Sequence, residues 1–514
     1  MKNNLLWRVL YALCLLAAVA TEVLAMVAMV RLNMLPDGYL ALMGGLFLLF
    51  DAVAGYLLFS KKGKRRKIVA FVLLILLICG SVVIRTVAND VIHTFEATTQ
   101  EDLGVTSRTV YILAEDPAED IPDTAGYTYG YVNHYDENCT RQVLEEVSRQ
   151  TNGQIITAGF NTPMLMISAL LEHRIDAIVL SGGYVSILEE ADETASLAEA
   201  VRVLAAIEVD EQTVADPVKT EAVDIPEIVV QATEPLPEEP ETYTTLEPFT
   251  VYLSGSDSYD EEVVHDGRSD VNILVVVNPM TKQVLLLNTP RDYYVENTAG
   301  GYERDKLTHC GLYGIGCSMD TLGNLYGTDV NYYVRINFSG FKKMIDALGG
   351  ITVYSDYAFT AITRTDIMEG ENHLTGQQAL DFARERYTLP GGDNERGKHQ
   401  MQVITAVIEK ATSGTTIISN YSDIMASVEG MFTMNVPMEL VSDLMKMQLS
   451  DMARWNISSY AVTGFDAMEE CYSARGMDLA VLIPNNSSVS KASRLIDMVY
   501  SGEILTEEVI SSME

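Results

Sequence analysis

Apolar positions follow three different patterns along this chain. The first ninety residues hold three nearly unbroken apolar runs, Val9 to Val30, Tyr39 to Phe59 and Ile68 to Ala88. Each is close to the roughly 20 residues with which a helix crosses a hydrocarbon layer about 30 Å thick, so three transmembrane helices are expected over residues 1–90. A cleaved signal peptide has a shorter apolar run, and here two more spans follow at once. From about Arg108 to Asp210, short β-rich runs (TVYILA, GQIITAGF, RIDAIVL, VRVLAAIEV) alternate with helical stretches (CTRQVLEEVSRQ, PMLMISALLEH). That alternation predicts a small accessory α/β domain over residues 91–215. Residues 216–248 turn acidic and proline-rich, with EPLPEEPE at 234–241, and read as an extended linker that cannot bury enough apolar area to fold. Over residues 249–514 the α/β pattern returns. FTVYLSG, VNILVVVN and KQVLLLNTP read as strands, the last two as a buried hairpin or as neighbours, and FSGFKKMIDALGG as a helix closed by glycine. A helical region from Gly376 through Lys410 is expected to cover the sheet.

The basic residues orient the spans. Lys61, Lys62, Lys64, Arg65, Arg66 and Lys67 fill the loop between the second and third, and Lys2 and Arg8 precede the first. Both clusters belong on the cytoplasmic side of a bacterial plasma membrane, which places everything after about residue 89 outside it. Two carboxylates, Glu22 and Asp51, fall inside spans; they are expected to be protonated or to face one another rather than to form a proton pathway. The chain carries 71 acids against 35 Lys and Arg, a net charge of -36, and most of the acids follow the spans. Phosphate-backbone binding needs the opposite balance, so nucleic acid is not expected as a partner. Among six cysteines, Cys14 and Cys79 sit in spans, while Cys310 and Cys317 flank a glycine-rich loop, where a local bridge and two free thiols both stay open. Neither CxxC pairs nor His clusters with zinc spacing occur. The Gly182-Gly183 pair of the accessory domain lacks a phosphate-loop motif, and a spacing or docking role is expected there.

Five polar segments stand beside strand ends in the last domain: SGSDS with Asp257, GRSD with Arg268 and Asp270, TPRD with Arg291 and Asp292, RDKLTH with Lys306 and His309, and FARERYTLPGGDNERGKHQ with Arg384, Arg386, Asp393, Arg396 and Gln400. Any one Asp-Arg pair could be a mutual salt bridge. In so acidic a chain, however, this gathering of arginines is selective, and guanidinium groups suit a multiply charged phosphate. Asp257 and Asp270 could together hold a hard cation such as Mg²⁺, or Mn²⁺, completed by phosphate oxygens. Arg384 and Arg386 would diverge by about 200° on a continuous helix, so the helix is expected to end there, and TLPGGD supports that.

These segments resemble the motif series of the LytR-CpsA-Psr family, chiefly SGSDSY, RSDVNIL, TPRD, KLTH, LYG..VNYYVR.NF, LGGI.VY and RERY...GGD..RG..Q. The order of three spans, accessory domain, linker and family domain is similar to its capsule-associated members, so the likeness covers nearly the whole chain. It implies a central sheet flanked by helices, with an apolar tunnel for a polyprenyl chain and a charged mouth for its pyrophosphate. By that resemblance Asp257 and Asp270 carry Mg²⁺, while Arg268, Arg291, Arg384, Arg386 and Gln400 bind phosphate, with Lys306 and Arg396 beside them. Many members have Arg just before the last Gln; here that position is His399, preceded by Lys398. The activity implied is a phosphotransferase: a peptidoglycan hydroxyl attacks the phosphate bearing a glycopolymer, capsular or teichoic acid-like, and polyprenyl phosphate leaves. Asp270 or Asp393 could accept the hydroxyl proton. An indirect envelope regulator, a lipid-pyrophosphate binder without turnover and a hydrolase remain as other readings.

Overall fold

The computed structural model describes residues 2–60, 63–99, 105–133, 137–180, 200–210, 246–256, 267–389, 393–412, 431–476 and 478–513. Three long apolar helices come first: α1 (Lys2–Leu32), α2 (Asp37–Phe59) and α3 (Lys64–Thr98). All three are long and apolar enough to cross a membrane. A mixed α/β region follows, its sheets flanked by helices. The described residues divide into two compact units, one of residues 1–101, 253–263 and 332–459, the other of 102–252, 264–331 and 460–514.

In the first unit the three helices pack through Tyr11, Ala18, Ala54, Leu58, Ala70 and Leu74. Glu22 and Asp51 do neighbour one another. The third helix is longer than its apolar run. Past Ala88 it continues to Thr98, because Val91 and Phe95 still have apolar partners: Phe95 joins Phe432 and Met434, while Ala88 and Val91 join Ala28, Leu32 and Met34. The same unit holds strand Tyr332–Asn337 paired antiparallel with Phe432–Met434, and strand Ile351–Ser355 paired antiparallel with Gly370–Leu374. Against the second pair, Ile345, Phe382 and Val403 build a core. The expected helical region is two helices, Gly376–Arg384 and Asp393–Thr412, separated at the arginine pair.

The second unit holds the accessory sheet, five strands in the order Ile156–Phe160, Thr128–Val132, Ala177–Leu180, Val105–Leu113, Val201–Asp210. The first three are parallel, and helices Glu137–Gln150 and Pro163–Leu171 lie between them in sequence. Strand Thr128–Val132 was not among the expected runs; two tyrosines and a glycine hide its apolar face, though Tyr129 is fully buried. Cys139 lies in this core. The unit also contains the expected hairpin: Val271–Asn278 pairs antiparallel with Gln283–Asn288, Ile273 opposite Asn288. Helix Asn486–Ser501 packs on both strands, and the Asn278 amide donates to the Val499 carbonyl at 2.7 Å. Linker residues 216–245 and Gly182-Gly183 lie outside the described residues.

Candidate functional site

The antiparallel register explains why two of the singled-out residues meet. Three positions beyond the Ile273-Asn288 pair stand Asp270 and Arg291, and Arg291 Nη1 lies 2.8 Å from Asp270 Oδ1. Both side chains are mostly buried, 13% and 18% exposed for Arg291 and Asp270. Lys306 comes from a second, short pairing of Arg304–Lys306 with Tyr294–Glu296. Its Nζ stands 3.4 Å from Asp292 Oδ1, and the Lys306 side chain is only 1% exposed. The backbone fixes the arrangement, since Thr308 N donates to the Arg291 carbonyl at 2.9 Å and Leu307 N to Tyr293 at 2.9 Å. Thr308 Oγ1 donates to Asp270 at 3.4 Å. Two cations and two carboxylates thus alternate in a half-buried cluster, where charge-assisted contacts are stronger than on an open surface. Arg268 is half-buried two residues before Asp270.

Behind Lys306 lies a group that sequence reasoning missed. Asp305 accepts from Lys306 N at 2.8 Å, from Ser473 N at 3.0 Å and from Ser473 Oγ at 2.9 Å. His309 Nδ1 sits 2.8 Å from the same carboxylate and 2.8 Å from Ser473 Oγ. All three side chains are fully buried. His309 was noticed in its motif, but Ser473, 164 positions away, carries no local signal. Cys310 and Cys317 are buried free thiols that hydrogen-bond one another; that bond, then burial, pushes the Cys310 thiol well above its usual range.

The arginine pair of the first unit has a different setting. Arg384 is the last residue of its helix and Glu385 the extended cap, φ -65 and ψ 132; the helix therefore ends where two arginines would otherwise diverge. Arg384 stacks 4.2 Å over the Phe338 ring, and Arg386 4.5 Å over Tyr387. Glu385 anchors the turn by accepting from the backbone N-H of Arg386, Tyr387, Thr388 and Ile362 at 2.8 to 3.0 Å. Burial pushes its carboxyl up, and these backbone donors outweigh that and hold it below the ordinary range. Gln400, 8% exposed, turns its amide to the Ala383 carbonyl at 3.5 Å. His399 stacks on Phe382 with ring centroids 3.9 Å apart, and Arg396 is half-buried. A further buried cation, Arg335, projects from strand Tyr332–Asn337 at 1% exposure. Asp393 begins its helix, its side chain outside the described residues, as is Asp257. Among the described residues, no group of three or more His, Cys, Asp or Glu converges as a metal site.

The chain is thus an α/β protein that begins with three long apolar helices and sets buried cations between carboxylates at the end of a hairpin. The LytR_cpsA_psr family model matches residues 206–482, and the chain belongs to that family. A relative from Enterococcus faecalis, the polyisoprenyl-teichoic acid–peptidoglycan teichoic acid transferase TagU, is 38% identical over 201 residues, 39% of this chain and 64% of its own length. Its namesake from Bacillus mycoides is 34% identical over the same shares. The chain thus spans about 64% of the length of these relatives. The crystal structure of B. subtilis TagV aligns over 50% of this chain and 99% of its own at 23% identity and a TM-score of 0.42. That of B. subtilis TagU aligns over 51% and 98% at 26% identity and 0.39.

Proposed function

We propose that this protein is a membrane-anchored phosphotransferase that moves a glycopolymer from a polyprenyl-pyrophosphate carrier to peptidoglycan. The observation that carries the reading is the alternation of Arg291 and buried Lys306 with Asp270 and Asp292 in a domain whose relatives are named as teichoic acid transferases. The polymer is then teichoic acid-like or, by the wider resemblance, capsular. The basic loop between the second and third spans supports a domain outside the cytoplasm, on the side of the acceptor.

In the reaction an acceptor hydroxyl forms a bond to the phosphorus that carries the polymer, the pyrophosphate bond breaks, and polyprenyl phosphate departs. Phosphoryl transfer of this kind relies on positioning and charge neutralisation more than on a covalent nucleophile. Arg291 and Lys306 neutralise the non-bridging oxygens, and fixed donors of this sort act at no reorganisation cost. Arg384 and Arg386, and by resemblance Arg268, Arg396 and Gln400, bind phosphate. The proton of the hydroxyl goes to Asp270 or Asp393. Mg²⁺ typically takes one or two carboxylates plus phosphate oxygens, and Asp270, with Asp257, would hold it. When bound, the ion would share the pyrophosphate charge.

The test is transfer of a labelled polyprenyl-pyrophosphate glycan to a peptidoglycan oligomer by the detergent-solubilised protein, with and without Mg²⁺. Product that vanishes in Arg291→Ala, Asp270→Ala and Arg384→Ala is expected. Tight lipid binding with no transfer under any condition would replace the transferase by a binding role.

A further inference from the structure

The acid pair of the helical bundle takes no part in the reading above. Glu22 is 4% exposed; the two carboxyls hydrogen-bond one another, and Glu22 Oε1 and Asp51 Oδ1 are left buried with no hydrogen-bond partner. The two carboxyls line a cavity of about 450 Å³ between α1 and α2. Its other walls are nearly all apolar, Val23, Val27, Phe47 and Leu48 among them, and three of these side chains are exposed on the outside of the bundle at 54% (Val23), 45% (Val27) and 73% (Leu48). The cavity therefore opens sideways. In hydrocarbon a charged carboxylate is costly even beside a second acid, and such groups are retained where they pair.

The matching cation is on the third helix. Arg85 is exposed within the long apolar span Lys64–Glu96. Packing sets the levels. Tyr11 and Ala18 cluster with Ala70 and Leu77, offsets of 70-11 = 59 and 77-18 = 59; Leu32 clusters with Val91, again 91-32 = 59. Glu22 therefore lies level with Ser81, whose hydroxyl is likewise buried without a partner. Arg85 is four residues further, about 6 Å along the helix, within reach of a guanidinium. Arg31, which lines the same cavity, is nine residues from Glu22, about 13 Å along α1.

We infer that a second copy of this chain docks on the α1-α2 face, its Arg85 entering the cavity to pair with Glu22 and Asp51. Arg85, a membrane-level cation on an outward face, and the acid pair in an open cavity are complementary between copies. Apolar walls offer a hard metal ion few of the oxygens that it needs, whereas they suit the methylene stem of an arginine. The contact joins unlike faces, so it closes as a ring, or as a pair where both faces meet at once.

The experiment uses the full chain in two differently tagged forms, co-expressed, solubilised in mild detergent and captured through one tag. Wild-type copies are expected to co-purify. Arg85→Gln with itself, and Glu22→Gln/Asp51→Asn with itself, are each expected to lose at least tenfold of the capture. Mixing the two variants is the decisive arm, because one keeps the acid pair and the other the arginine: capture is expected to return to about half of wild type. Loss of the fold could not produce that recovery. Wild-type copies that fail to associate, an Arg85→Gln chain that self-associates normally, or a mixture without recovery would each overturn the inference, the first pointing to the basic transmembrane helix of another protein.

Discussion

Arg291 and Lys306 are both cations of one cluster, yet they are held differently. Arg291 is partly exposed and meets Asp270 at 2.8 Å; Lys306 is sealed in and stands 3.4 Å from Asp292. Removing either leaves a carboxylate facing the phosphate with less opposing charge. Arg291→Ala and Lys306→Met are expected to lower kcat of transfer about a hundredfold or more, while circular dichroism shows an intact fold; an unchanged rate in either would remove that residue from the reaction. The meeting of Asp270 with Arg291 was legible in the sequence once VNILVVVN and KQVLLLN were read as a hairpin, because register alone brings them together. The burial of Lys306 was not, since it depends on Asp305 and on Ser473, which is 168 positions from Asp305. A motif shows which charges are present and says little of what packs behind them.

At the scale of elements, the break between helices Gly376–Arg384 and Asp393–Thr412 decides where both arginines stand. The sequence foretold the break from the geometry of two arginines two residues apart, and Pro390 agreed. It did not reveal the device that makes it, the Glu385 carboxylate gathering four backbone donors. The first of these helices begins tight against its neighbour: a Cβ on Gly376 would collide with the Lys342 carbonyl, and Gly376 N donates to Asp346 at 2.7 Å. Gly376→Ala is expected to cost about 2 kcal/mol by chemical denaturation of the full chain, with no new midpoint if the neighbouring helix yields. His399 adds a pH dependence. Burial lowers its pKa from the ordinary 6.5, against a raising contact with the Phe382 carbonyl. The unfolded chain then takes up the proton first, so the contribution of this site is present above about pH 6.5 and is lost as pH falls below that value. Glu385 and Glu395 are lowered from 4.5, and their contribution is lost only below about that pH. Thermal midpoints between pH 7 and 5 should therefore fall in the wild type and stay flatter in His399→Phe; parallel curves would assign the loss elsewhere.

For the whole molecule, composition carried the large divisions: three apolar helices and an α/β remainder needed only run length and alternation. What run length concealed was that α3 does not stop where its apolar character does. Its tail and α1 are clasped by Met438, Val441 and Met445 of helix Met438–Asp451, and Lys446 Nζ reaches Asn33 at 2.8 Å. Deleting residues 1–99 is expected to bare that surface, so that the remainder associates at micromolar concentration in sedimentation and is dispersed by detergent; a monodisperse truncated protein would contradict the clasp. A 35-residue α3 is about 52 Å long, some 20 Å more than a bilayer's hydrocarbon, and the excess is continuous helix instead of slack chain. The unit that carries Arg384 and Arg386 consequently stands at one set height on a stiff post, without a tether to let it roam.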